Sequence, residues 1–165
     1  MDGTPRWALP LLFAGQAQKE IFHNEALGTI DALLHGRVES ADLATPPSSS
    51  SIGQCWIVAA GASGDWAGQV DAIAYRTEGG WRFVAPRAAM RMDVADRGHA
   101  LHYDGGEWRD ASVRADGFYL GNEQVVGLRQ SAIAAPVGGL TIDAEARNTI
   151  AAVLDVLRTH GLIHA

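Results

Sequence analysis

Two short stretches decide the fold class: Ala74-Tyr75-Arg76-Thr77-Glu78-Gly79-Gly80-Trp81-Arg82 and His102-Tyr103-Asp104-Gly105-Gly106-Glu107-Trp108-Arg109. Each sets a tyrosine on one strand, a Gly-Gly pair in the turn and a Trp-Arg opening the return strand. Glycine reaches the positive φ that tight hairpin turns demand, and aromatic residues pair well across antiparallel strands. Two copies make a pair of hairpins; a solenoid or propeller needs more repeats. Around them, short apolar or alternating runs separated by glycine predict strands over 54–59, 70–76, 81–85, 90–95, 100–103 and 108–111. Strands at such close spacing imply antiparallel connections, because parallel neighbours need long crossovers.

Helices flank this β region. Apolar residues Ile21, Phe22, Ala26, Ile30, Leu33 and Leu34 recur at helical spacing, with Lys19, Glu20, Asn24, Glu25 and Asp31 largely on the other face, predicting a helix over 16–36 that stops near Gly36. Residues 1–15 form an apolar arm, with Trp7, Leu9, Leu11, Leu12 and Phe13 between Pro5, Pro10 and glycines that exclude a continuous helix. Residues 41–53, with two prolines and four consecutive serines, read as a surface loop. The hairpin domain is expected over 52–127, a linker over 128–140 and a helix over 141–165, with Asp143 as its N-cap and Gly161 beyond its last turn. The fold class is therefore α+β: an N-terminal apolar arm and helix, an antiparallel β-hairpin region and a C-terminal helix.

The 165 residues suit about one domain. Hydrophobic residues make up 47% and charged residues 19%, an ordinary globular balance. The net charge of −6 and the scatter of the 13 Lys and Arg residues argue against nucleic acid. No apolar run approaches a membrane span, and Trp7–Ala14, the nearest mimic of a signal peptide, is interrupted by Pro10, so synthesis in the cytoplasm without membrane insertion is expected. The single cysteine, Cys55, excludes an intramolecular disulfide and any multi-cysteine zinc site, and within Cys55-Trp56-Ile57-Val58 it reads as a buried apolar residue.

No constellation of catalytic or metal-ligating residues emerges, and no catalytic residue, cofactor or metal is expected. Glu20 and His23 lie on adjacent helical turns, but a metal needs three or more convergent ligands. Asp93, Asp96, Asp104, His99 and His102 cluster in sequence, which keeps a glycan hydrolase among the alternatives, although Asp and Gly are also what hairpin turns recruit. Nucleophile-elbow and phosphate-loop patterns do not occur. The aromatics carry more information. Trp66 stands in a Gly/Ser/Asp loop, where it either folds back as a lid on the hairpin core or, exposed, offers an apolar face to a sugar ring; with Tyr75, Trp81, Tyr103 and Trp108 it forms the candidate glycan-binding set. Leu11, Leu12 and Phe13 of the arm, and Ile150, Val153 and Leu157 of the C-terminal helix, form the candidate oligomer interface. Ala146, Ile150, Val153 and Leu157 repeat at the 4-3-4 spacing of a short coiled-coil seam, over about two heptads where a coiled coil wants three or four, so the stripe suits either a helix packed on its own domain or one packed against copies of itself around a symmetry axis.

The words LPLLFAGQAQKEIFHNEAL over 9–27, GQCWIV over 53–58, GGWRFVAP over 79–86 and the Tyr-x-Gly-Gly-x-Trp turn over 103–108 resemble the DUF2793 family of alphaproteobacterial prophages and gene transfer agents. The resemblance implies a virion component, a head spike or tail fibre part that helps attach a phage-like particle to polysaccharide on the recipient surface and leaves the cell with that particle. It implies no catalytic residue. A chain this short suits a base or adaptor better than a long fibre. A homo-oligomer is expected, a trimer first and a pentamer second, with other particle proteins and capsular polysaccharide as partners. The alternatives are a carbohydrate-binding module in its own right and, less favoured, the glycan hydrolase.

Overall fold

The computed structural model describes residues 3–12, 19–140 and 143–164. The chain divides into two compact units, split between Ala115 and Asp116. The first holds α1 (Lys19–Leu33), β1 (Arg37–Val38), β2 (Cys55–Ile57), a 3-10 turn (Gly64–Trp66), β3 (Ile73–Thr77), β4 (Gly80–Val84), β5 (Arg91–Val94), β6 (His99–Tyr103), β7 (Trp108–Asp110) and β8 (Val113–Arg114). The second holds β9 (Gly117–Leu120), β10 (Glu123–Val126) and α2 (Ala144–Thr159). The fold is α+β, with two helices and several antiparallel sheets among the described residues, as the patterning implies.

All six expected strands form, each within a few residues of its expected bounds. They sort into a sheet ordered β2-β3-β4 and another ordered β1-β5-β6-β7. Backbone hydrogen bonds from Glu39 N to the Cys55 carbonyl and from Ile57 N to the Ser40 carbonyl continue the ladder from β2 to the chain just after β1. One pairing departs from the all-antiparallel expectation: β1 runs parallel to β5, Arg37 opposite Asp93 and Val38 opposite Val94. A two-residue strand has no periodicity to read, and its crossover is everything between residues 38 and 91. Gly36, expected only as a helix stop, also lets β1 approach β5; a Cβ there would stand 2.5 Å from the Met92 sulfur.

The run Cys55-Trp56-Ile57-Val58 is apolar at every position because the β2-β3-β4 sheet is buried on both faces. Cys55, Ile57, Ile73 and Tyr75 join Val38, Met92, Val94 and Leu101 in one core. Trp56, Val58 and Ala74 join Trp66 in a second, with Trp81 and Phe83 packed against it. The two Gly-Gly repeats are not equivalent in register. Tyr75 opposes Arg82 and lies on the opposite face from Trp81, whereas Tyr103 opposes Trp108 directly. The first turn has two residues between Thr77 and Gly80, and the second has four between Tyr103 and Trp108.

The strands β9 and β10, which the sequence reading places in the hairpin domain, pair with each other in the second unit. The expected linker is strapped to α2. Arg158 donates to the Ile133 carbonyl at 2.9 Å, Arg147 donates to the Pro136 and Gly138 carbonyls, and Gln130 exchanges backbone hydrogen bonds with Leu162 and His164. Asp143 caps α2 as expected, its Oδ1 accepting from Ala146 N at 2.9 Å.

Candidate functional site

The helix α1 lies on the β2-β3-β4 sheet through its small residues. Ala32 is buried, and a Cβ on Gly28 would already reach ordinary contact distance, 3.7 Å, from the Tyr75 hydroxyl. This close approach overturns the expected orientation. Of the apolar stripe, Leu33 packs on the core, while Ile21, Phe22, Ile30 and Leu34 are 55%, 77%, 50% and 40% exposed. Asp31, expected on the solvated face, is 2% exposed.

Asp31 is buried because the arm closes over it. Its carboxylate accepts from the Thr4 hydroxyl at 2.5 Å, from Arg6 N at 2.9 Å and from Trp7 N at 2.7 Å. Arm residues Gly3 and Pro10 bridge, so the arm is a small loop with its amides turned to one anion. Arg6 sends Nη1 to the Ala32 carbonyl at 2.7 Å, and Trp7 sends Nε1 to the Leu34 carbonyl at 3.0 Å. The last carbonyls of a helix have no partner within the helix, and here the arm supplies a guanidinium and an indole to them. Asn24 completes the clasp, exchanging hydrogen bonds of 3.0 Å with both backbone groups of Leu12. An aspartate in the last turn of a helix faces the wrong end of the macrodipole, and that is the one sign of the clasp in the sequence.

Arm, helix and sheet enclose a cavity of about 330 Å³, lined among others by Arg6, Asp31, Cys55, Tyr75 and Arg82. Arg82 forks onto Glu25 at its rim, at 3.0 to 3.1 Å. Burial pushes the Cys55 thiol up to about 11, against the pull of the Arg6 guanidinium 3.9 Å away, so at neutral pH it is an uncharged thiol. Among the described residues no group of three His, Cys, Asp or Glu is placed to hold a metal ion, and no helix is long and apolar enough to cross a membrane.

The candidate glycan-binding residues separate. Trp66 is fully buried, its ring centroid 6.2 Å from that of Trp56 and 5.1 Å from that of Trp81, so of the two readings of its loop the ring folded back on the hairpin core is the one the structure has, and it offers no face to a sugar. The 3-10 turn Gly64–Trp66 swings the ring inward, because an indole buries more apolar surface than any neighbour in that Gly/Ser loop. Tyr75 is buried as well, its hydroxyl 3.4 Å from that of Thr29. Trp81 is half-buried under the Arg76 guanidinium. Only Tyr103 and Trp108 stand together at a surface, half-buried with ring centroids 5.4 Å apart. Around this hairpin tip Asp104 accepts from Gly106 N, Glu107 N and Arg109 Nε at 2.8 to 2.9 Å, and these bonds hold its carboxyl well below the usual carboxylate range. A general acid requires the opposite shift.

Of the candidate oligomer interface, Leu12 is exposed and Leu11 half-buried, and Phe13 lies outside the described residues. Ile150 and Val153 are exposed and Leu157 half-buried.

The family model described as "Protein of unknown function (DUF2793)" matches residues 23–109, which begin in α1 and end in β7. The chain belongs to the DUF2793 family. No curated protein matches it. The matched span of this DUF2793 chain contains both cores and Asp31, and it stops short of the whole second unit. The arm that clasps Asp31 precedes the span.

Proposed function

We propose that this DUF2793 protein is a structural adaptor of a phage-like particle, a part of a head spike or tail fibre that contributes to attachment to the host's surface polysaccharide. The observation that carries the adaptor reading is the outward apolar side of α1. Phe22, Ala26, Ile30 and Leu34 follow one another at four-residue spacing, all exposed, on a helix whose end and inner face are pinned by the arm. A rigid helix with a free apolar stripe is a surface for another protein. The particle and its polysaccharide target come from the resemblance of the arm, helix and hairpin words to prophage and gene-transfer-agent proteins. The test is to purify particles from producers with and without the gene, locate the chain on them by antibody labelling, and measure adsorption to capsulated and acapsular cells. Labelled particles whose capsule-dependent adsorption falls in the deletion support the reading; its absence from purified particles overturns it.

A second reading, a carbohydrate-binding module, is favoured by the Tyr103–Trp108 pair, the part of the aromatic set at the surface, with Asp104, Glu107 and Arg109 beside it to meet hydroxyls. Capsular polysaccharide then changes the tryptophan fluorescence of the chain, and Trp108→Ala removes the change. No response in the parent chain counts against this reading.

A further inference from the structure

The described residues of the second unit bury little apolar surface. Among its described residues two apolar side chains are buried, Leu154 and Ile163, while twelve large ones are exposed, Val137 at 89% and Leu140 at 108% among them. The apolar surface hidden by two side chains is far less than the backbone entropy of so long a segment requires. A segment of this size therefore holds its shape only against further apolar surface. Every residue of β10 is exposed, so that surface has to be met on both faces of the hairpin.

The helix α2 indicates what supplies it. Arg147, Leu154 and Arg158 lie on one side, where the arginines bind carbonyls of the strap and Leu154 is buried. The neighbouring side carries Ala146, Ile150, Val153 and Leu157. Ile150 and Val153 are 45% and 54% exposed, and Val156 beside them is 56% exposed. The 4-3-4 spacing makes Ile150 and Leu157 one heptad core position and Ala146 and Val153 the other. A seam of this kind is self-complementary: its knobs fit holes made by the same residues of a second copy. Isoleucine at the first position with β-branched Val153 at the second disfavours two strands and shifts the preference to three or four.

We propose that the second unit is a homotrimerisation module whose core is completed between copies, with α2 from three chains packed in parallel through Ala146, Ile150, Val153 and Leu157. The strap and the β9–β10 hairpin then cover this bundle from outside. The inference stands apart from the particle reading. A trimer absent from particles overturns the adaptor alone, and a monomer found on particles overturns the trimer alone.

The test is the mass of the full chain by native mass spectrometry and sedimentation equilibrium. Three times 17.5 kDa is expected; a single chain, or any other number of copies, overturns the proposal. The double variant Ile150→Asp, Val153→Asp is expected to be monomeric with part of its helical signal lost. All five tryptophans lie at or before residue 108, so unchanged tryptophan fluorescence shows that the first unit of that variant is still folded. A trimer that survives both aspartates overturns the proposal, and one that survives them but dissociates with Phe22→Asp places the interface on α1 instead. The milder Ile150→Asn, a polar residue that short coiled coils accommodate at the cost of a changed strand number, is expected to leave a folded chain with fewer copies per assembly. Three copies retained with undiminished thermal stability overturn the seam.

Discussion

At the scale of the residue, Asp31 decides how the N-terminus is held. Three donors from Thr4, Arg6 and Trp7 converge on one buried carboxylate. Asp31→Ala leaves buried donors unpaired, and a loss of about 3 kcal/mol is expected in urea unfolding, together with faster proteolysis within the arm. An unchanged midpoint refutes the clasp. A second prediction concerns Asp110. Burial works to raise its pKa, but the hydrogen bond from His99 at 2.6 Å, with Arg97 and Arg114 alongside, brings it below the ordinary value. The folded-state pKa lies under the unfolded one, so the contribution is fully present above the unfolded carboxylate range and is lost as pH falls through the folded value. Urea midpoints measured from about pH 5 to 2 should fall less steeply in Asp110→Asn than in the parent chain. Equal slopes show that the cluster contributes nothing.

At the scale of the element, periodicity sets what an element is and leaves open what covers it. The strands were legible because alternation and glycine punctuation are local properties, and β2 was legible as a strand buried on both faces from its unbroken apolar run. The helix α1 was legible as a helix but not in its orientation. Helical spacing marks an apolar side without saying what covers it, and the sheet accepts α1 through Gly28 and Ala32 because only small residues permit that approach. Phe22→Ser is therefore expected to change stability by no more than about 0.5 kcal/mol, the range for exposed positions, where a core phenylalanine costs several times that. A drop of about 3 kcal/mol in calorimetry or urea unfolding shows that Phe22 is covered. The 4-3-4 apolar spacing on α2 is a local period as well, and Ile150 and Val153 on it are exposed.

At the scale of the molecule, the division at residue 115 separates a part with two cores from a part with almost none. A chain ending at Ala115 is expected to keep the tryptophan emission of the full protein and to unfold in one cooperative transition; a broad, non-cooperative loss of signal means that the first unit depends on the second. Sequence alone determined the fold class, the strands, the cap at Asp143, the apolar character of Cys55 and the 4-3-4 apolar spacing on α2, because each follows from a local period or a local preference of the backbone. The tertiary structure decided the rest. The burial of Trp66 and Tyr75, the capture of Asp31 by the arm and the parallel pairing of β1 with β5 join residues from 24 to 56 positions apart or depend on which face of an element meets the sheet. The free energy of burial belongs to the surfaces that meet, and a linear pattern shows what each residue offers but not which surface it finds.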